Sequence, residues 1–229
     1  MSVIASNLQA VRARIDAAAR AVGRDPATVK LLAVSKTWPA ENIREAARAG
    51  QRSFGENYVQ EAVEKVGQLR DMELEWHFIG PLQSNKTRLV AENFAWVHSI
   101  ERLKIAERLS AQRPAGLPPL EVCVQVNVSG EASKSGCEPS EAVELCRRVA
   151  ELPKLRLRGL MAIPEPVEEF EAQRRPFKQL KELFESLRAG GLPLDTLSMG
   201  MSHDLEAAIA EGATVVRIGT AIFGERNYL

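Results

Sequence analysis

The feature that most constrains the fold is an alternation that runs from one end of the chain to the other. Short, mostly apolar, strand-like runs fall at 30–36, 52–56, 75–80, 96–100, 120–127, 156–163, 195–199 and 214–219. Helical patterns fill the gaps, as at 41–49, 58–69, 101–113, 140–152, 170–189 and 203–211. Several strand-like runs are apolar without alternation, as expected of strands covered by helices. Asp25-Pro26, Gly50 and Gly190-Gly191 punctuate the joins. Eight β/α alternations in 229 residues predict a single domain, residues 1–229, folded as a closed (β/α)8 TIM-type barrel. The competing architecture is an open doubly wound sheet. One helix is missing from the pattern, after the last strand-like run. An extra N-terminal amphipathic helix over about residues 3–22, with Ile4, Leu8, Val11 and Ile15 on one side, is expected to cover that gap.

Bulk properties exclude several function classes. Thirty basic and 30 acidic residues cancel, which argues against nucleic acid or an anionic membrane as the main partner. No apolar run approaches a membrane span, and the N-terminus lacks a secretory signal pattern. The three cysteines, Cys123, Cys137 and Cys146, show no Cys-x-x-Cys spacing, which fits a reducing, cytoplasmic setting. Histidines and cysteines are dispersed, so no metal site is expected. Gly219 to Gly224 has the glycine spacing of a P-loop, but Glu225-Arg226 stands where Lys-Ser/Thr is required.

In a barrel of this kind ligands bind at the carboxyl ends of the strands. The first run ends on Lys36, with an apolar strand beneath it and Pro39 stopping the strand. An amine there can be desolvated enough to attack a carbonyl. Two later ends read as anion grips: Ser198-Met199-Gly200-Met201-Ser202, leading into a helix, and Arg217-Ile218-Gly219-Thr220. Backbone N–H groups and hydroxyls at such ends point at an anion. The simplest ligand for a lysine and an anion grip on one mouth is a phosphorylated aldehyde, and pyridoxal 5′-phosphate supplies the aldehyde, the phosphate and an aromatic ring between them. His77, His98, Asn127 and Lys86 also lie near strand ends, with core packing, a turn and a solvated charge as their plain readings.

These segments, in one order along nearly the whole chain, resemble the pyridoxal phosphate homeostasis protein family. The match is carried by Ala33-Val34-Ser35-Lys36-Thr37, Phe54-Gly55-Glu56-Asn57, His77 through Lys86, Val126-Asn127 with Lys134-Ser135-Gly136, Gly159 through Ile163, Ser198 through Ser202, and Val216 through Thr220 with Ile222-Phe223-Gly224. The resemblance implies a barrel like the N-terminal domain of alanine racemase. It implies pyridoxal phosphate held as an aldimine on Lys36 and a role in vitamin B6 and amino-acid homeostasis rather than a well-defined turnover. Ser202, Gly219 and Thr220 would hold phosphate. Arg217 would lie at the ring nitrogen or the phosphate, and Asn57 near the ring.

The alternative function is a pyridoxal phosphate-dependent amino-acid racemase, which needs an acid/base on each face of the substrate carbanion. In the alanine racemase pattern the second is a tyrosine from a C-terminal β domain, which is expected to be absent here. The only tyrosines are Tyr58, expected to start a helix, and Tyr228 at the chain end. A Schiff-base aldolase is a third reading, without a clear acid/base pair. No catalytic residue is assigned. A monomer is expected, with pyridoxal phosphate-dependent apoenzymes as candidate recipients.

Overall fold

The computed structural model describes residues 2–129 and 135–225. Lys134 and Tyr228 therefore lie outside the described residues. The strands are β1 (Lys30–Val34), β2 (Ser53–Glu56), β3 (Glu75–Phe78), β4 (Trp96–Ile100), β5 (Leu120–Gln125), β6 (Leu155–Met161), β7 (Thr196–Ser198) and β8 (Val215–Ile218). They pair in sequence order into a closed barrel, and each pair is parallel. Closure is made by β8 against β1, with Lys30 opposite Val215 and Ala33 opposite Ile218. The open-sheet architecture is thereby ruled out.

The helices are α1 (Val3–Ala21), α2 (Ala40–Arg48), α3 (Val59–Gln68), α4 (Thr87–Asn93), α5 (Leu103–Gln112), α6 (Pro139–Ala150), α7 (Phe170–Ala189), α8 (Leu205–Ala210) and α9 (Thr220–Phe223). Two of them escape sequence reading. In α4 the apolar residues Leu89, Val90 and Ala91 are contiguous, so no 3.6-residue period shows. At four residues, α9 is too short to show one. Because α9 is a single turn, α1 lies over the remaining surface and packs against α2, α8 and α9. Its side-chain stripe Ile4, Leu8, Val11, Ile15 and Ala19 is buried, as the pattern required. The Asn7 amide also donates to the Ile222 carbonyl at 2.9 Å.

The main core lies between the barrel and the helices, where outward residues such as Ala33, Phe54, Phe78, Val97 and Val216 pack. The inside of the barrel is a separate environment. Leu32, Val34, Ile79 and Val215 form one apolar cluster there, and Trp96, Cys123 and Met161 another. Period-2 alternation puts Lys30, Leu32, Val34 and then Lys36 on the same side of the first strand's path. Among the described residues no helix is long and apolar enough to cross a membrane.

Candidate functional site

A cavity of about 260 Å³ opens at the carboxyl-terminal mouth of the barrel. The structure brings all six residues singled out in the sequence, Lys36, Asn57, Ser202, Arg217, Gly219 and Thr220, to its wall. Val34 and Ile79 supply apolar surface beneath them, and His203 lies at the edge. A larger cleft, about 870 Å³, opens at the opposite end, but most of its charges already pair with one another. Lys30 meets Glu75, and Arg158 meets both Glu121 and Asp195. The mouth cavity is therefore the stronger candidate.

Lys36 stands two residues past the end of β1 and is half-buried. The ladder reaches as far as Ser35, whose N–H donates to the Gly55 carbonyl at 3.0 Å. The next residue, Thr37, sits at φ 68°, a left-handed conformation that a β-branched residue adopts only when its surroundings impose it. A clamp from α3 imposes it. Lys65 donates to the Ser35 carbonyl at 2.8 Å and to Glu56 Oε1 at 2.9 Å, and it also pairs with Glu61. Glu61 accepts the Thr37 N–H at 2.6 Å, and Ser35 Oγ donates to Glu56 at 2.6 Å. Burial pushes the Glu56 carboxyl up, and the Lys65 ammonium opposes that shift. The residues on both sides of Lys36 are thus fixed from outside the barrel. Glu56 belongs to this clamp and does not line the cavity.

The opposite wall is the β7–α8 loop and the start of α9. Gly200, at φ 97°, makes the turn, and a Cβ there would lie 2.6 Å from that of Ala208. Asp204 Oδ1 accepts the Met201 N–H at 2.6 Å, which closes the loop on itself. Arg14, on α1, donates to the Ser202 carbonyl at 2.7 Å and grips Glu206 with its other nitrogens. That leaves the Ser202 and Thr220 hydroxyls on one wall with the Gly219 backbone between the strand and α9.

Arg217 lies deeper, 4% exposed, inside the barrel. It donates to the Ser198 carbonyl at 2.6 Å, to Ser198 Oγ at 2.8 Å and to the Ala162 carbonyl at 2.8 Å. A guanidinium has five N–H donors, so two have no protein acceptor among the described residues. Burial pulls its pKa down to about 10, partly offset by the Asp204 carboxylate, so it stays charged at neutral pH. Asn57 Oδ1 is buried at the cavity wall with no hydrogen-bond partner among the described residues. An unsatisfied buried polar atom costs roughly 1–3 kcal/mol, and such atoms mark where a ligand or water completes the pairing.

The other residues noted in the sequence fall elsewhere. Tyr58 precedes α3, is 54% exposed and does not line the cavity. Asn127 holds its own turn by accepting from the Ser129 N–H and hydroxyl. Lys86 sits at the start of α4, away from the cavity. Cys123, Cys137 and Cys146 are free and buried. His77 and His98 are buried inside the barrel and hydrogen-bonded to each other. No group of residues that could hold a metal ion occurs among the described residues. Sequence reading missed Arg14, Lys65 and Glu61, which looked like ordinary helix charges.

The chain belongs to the alanine racemase N-terminal domain family, which matches residues 6–227. Within it, the chain groups with the pyridoxal phosphate homeostasis proteins. It is 67% identical over 228 residues to the Pseudomonas aeruginosa pyridoxal phosphate homeostasis protein, covering 100% of this chain and 98% of the relative. It is similar to PipY of Synechococcus elongatus, whose structure was solved with PLP bound. The TM-score is 0.85 and the identity 38%, over 96% of this chain and 100% of that one. Alanine racemase from Corynebacterium glutamicum shares the fold, with a TM-score of 0.69 at 18% identity. It aligns over 99% of this chain and 63% of the racemase.

Proposed function

We propose that this chain is a pyridoxal 5′-phosphate-binding protein of intracellular vitamin B6 and amino-acid homeostasis, with Lys36 as the covalent attachment point. The observation that carries the reading is the convergence of a half-buried amine, two hydroxyls, a buried guanidinium and an orphaned amide oxygen on one cavity. The names of the relatives support it, as does PLP bound in the Synechococcus structure.

The residues fit the group. Bound, the cofactor supplies an aldehyde that condenses with a primary amine and a ring that accepts electrons. Lys36 offers the amine. Ser202, Thr220 and the Gly219 backbone offer donors to the phosphate from the cavity wall. Asn57 offers its unpaired oxygen beside the ring. Arg217, deeper than either hydroxyl, suits the ring nitrogen rather than the phosphate. A guanidinium fixed there is already a proton donor with a full charge, so it keeps a second proton off that nitrogen.

That arrangement favours a carrier over a racemase. Among the described residues lining the cavity, the only conventional acid/base groups besides Lys36 and Arg217 belong to His203. His203 is exposed, at the rim, and 3.3 Å from the Asp204 carboxylate. We read the chain as one barrel domain, residues 1–229, acting as a cytoplasmic monomer that passes its cofactor to pyridoxal phosphate-dependent apoenzymes. The test is to purify the protein, desalt it and assay amino-acid racemisation and cofactor transfer side by side. Retained visible absorbance with transfer to an apoenzyme is the expected result. Robust Lys36-dependent racemisation would overturn the carrier reading.

A further inference from the structure

His77 and His98 are not isolated core histidines. A continuous hydrogen-bonded path crosses the barrel interior from the amino-terminal end to Arg217. Glu75 Oε1 meets His77 Nε2 at 2.7 Å. His77 Nδ1 meets His98 Nε2 at 2.9 Å, and His98 Nδ1 meets Ser198 Oγ at 2.7 Å. Ser198 Oγ meets Arg217 Nη1 at 2.8 Å. His77, His98, Ser198 and Arg217 are each 4% exposed or less. The Trp96 ring stacks on His77 at 5.4 Å and 9°, walling the pair off.

Only one set of donor and acceptor roles satisfies this path. Glu75 also pairs with Lys30 and accepts from Ser53 Oγ, so it is an ionised acceptor and His77 Nε2 must carry a proton. Burial keeps both rings neutral, pulling His77 down to about 4 and His98 well below its ordinary value. His77 Nδ1 must then accept, so His98 Nε2 carries the proton and His98 Nδ1 accepts. The Ser198 hydroxyl therefore donates to His98 and has only lone pairs to offer Arg217. The guanidinium, a donor alone, fits that end. Every donor points away from the cavity and the path ends on a carboxylate. Such aligned bonds polarise one another.

We propose that Glu75, His77, His98 and Ser198 form a one-way hydrogen-bond chain that positions Arg217 at the ring end of the cofactor cavity. His98 is then a positioning residue, two bonds removed from the cavity and unrecognisable from its lining. The inference rests on the proposed function only in taking Arg217 as a contact of the bound ring.

The test uses two readouts. Nitrogen-15 NMR of histidine-labelled protein without cofactor is simplified by there being three histidines in all. Two neutral rings protonated at Nε2 are expected near neutral pH, and a charged ring or an Nδ1–H tautomer at either buried position would overturn the chain. Absorbance titration with pyridoxal phosphate then compares wild type, His98→Leu, His98→Asn and Ser198→Ala. His98→Leu and Ser198→Ala should bind about tenfold more weakly with a shifted visible band. His98→Asn retains an acceptor for Ser198 and should recover most of the wild-type spectrum. Wild-type spectra and affinities in Ser198→Ala and His98→Leu would overturn the positioning role while leaving the cofactor reading intact. A wild-type protein that develops no visible band would overturn both. Ser198→Ala removes one oxygen, so it reports even where His98→Leu fails to fold.

Discussion

Arg14, on the first helix, donates to the carbonyl of Ser202 across 188 residues of sequence, at 2.7 Å. The N-terminal helix is therefore more than a cover for a barrel whose last helix is one turn long. It fastens the loop that carries a proposed phosphate ligand.

That contact makes a remote residue matter for retention of the cofactor. Arg14→Met keeps much of the apolar stem but frees the loop and the Glu206 carboxylate. A hydrogen bond from a charged group is worth roughly 1.5–3 kcal/mol, and much of that is lost to solvent at a half-exposed site. Pyridoxal phosphate should bind roughly 3- to 10-fold more weakly, by absorbance titration, with helix content unchanged. Equal affinity would show that the loop holds its shape alone.

Lys65 makes the second prediction. It is almost fully buried and joins Glu56, Glu61 and the Ser35 carbonyl behind the turn that carries Lys36. Lys65→Met leaves the fully buried Glu56 carboxylate without a counter-charge, a change that typically costs about 3–5 kcal/mol. Urea unfolding should show that loss. The double variant Lys65→Met with Glu56→Gln should regain part of it, since no charge then remains buried. A single variant as stable as wild type would contradict the clamp.

Acid should destabilise the fold in a defined window. His77 in the folded chain titrates near 4, below the ordinary 6.5, because burial opposes its charge. Between those values the unfolded chain takes up a proton that the folded chain does not. Stability is full above about pH 6.5 and falls as pH drops toward 4, by about 1.4 kcal/mol per pH unit for each such proton. His98 shifts in the same direction, so it adds to the slope. Glu75 is held well below its usual range, chiefly by its bond to His77, so it extends the loss below about pH 4.5. Urea midpoints should be level from pH 7.5 to about 6.5 and fall from there to pH 5, and a profile flat throughout would contradict neutral buried rings.

The thiols should be inert in the native protein. Burial pushes Cys137 and Cys146 up to about 12, and Cys123 higher. A thiol reagent should react slowly with the folded chain and with all three cysteines after unfolding. Fast native reaction at any of them would show local opening at that strand or helix.

The sequence carried the barrel because its strands are short apolar runs and its helices mostly have a visible period. It carried Lys36, Ser202, Arg217, Gly219 and Thr220 because each stands at the end of such a run, where parallel barrels place their ligands. Other parts depend on contacts that no local pattern encodes. Lys65 and Arg14 read as solvated helix charges until the packing of α3 and α1 aims them inward. The bond between His77 and His98 depends on both facing the interior from β3 and β4, neighbouring strands in the barrel. The path of the Asn57 backbone past β3 depends on Gly80, where a Cβ would lie 2.5 Å from the Asn57 backbone carbonyl oxygen.

The central claim is that Lys36 is where pyridoxal phosphate is held. The most direct measurement is to incubate the protein with the cofactor, reduce the adduct with borohydride, digest and locate the modified lysine by mass spectrometry. The account predicts one modified site per chain at near-complete occupancy, in the peptide containing Lys36, and no label there in Lys36→Ala. Label chiefly on another lysine, or undiminished visible absorbance in folded Lys36→Ala, would contradict it.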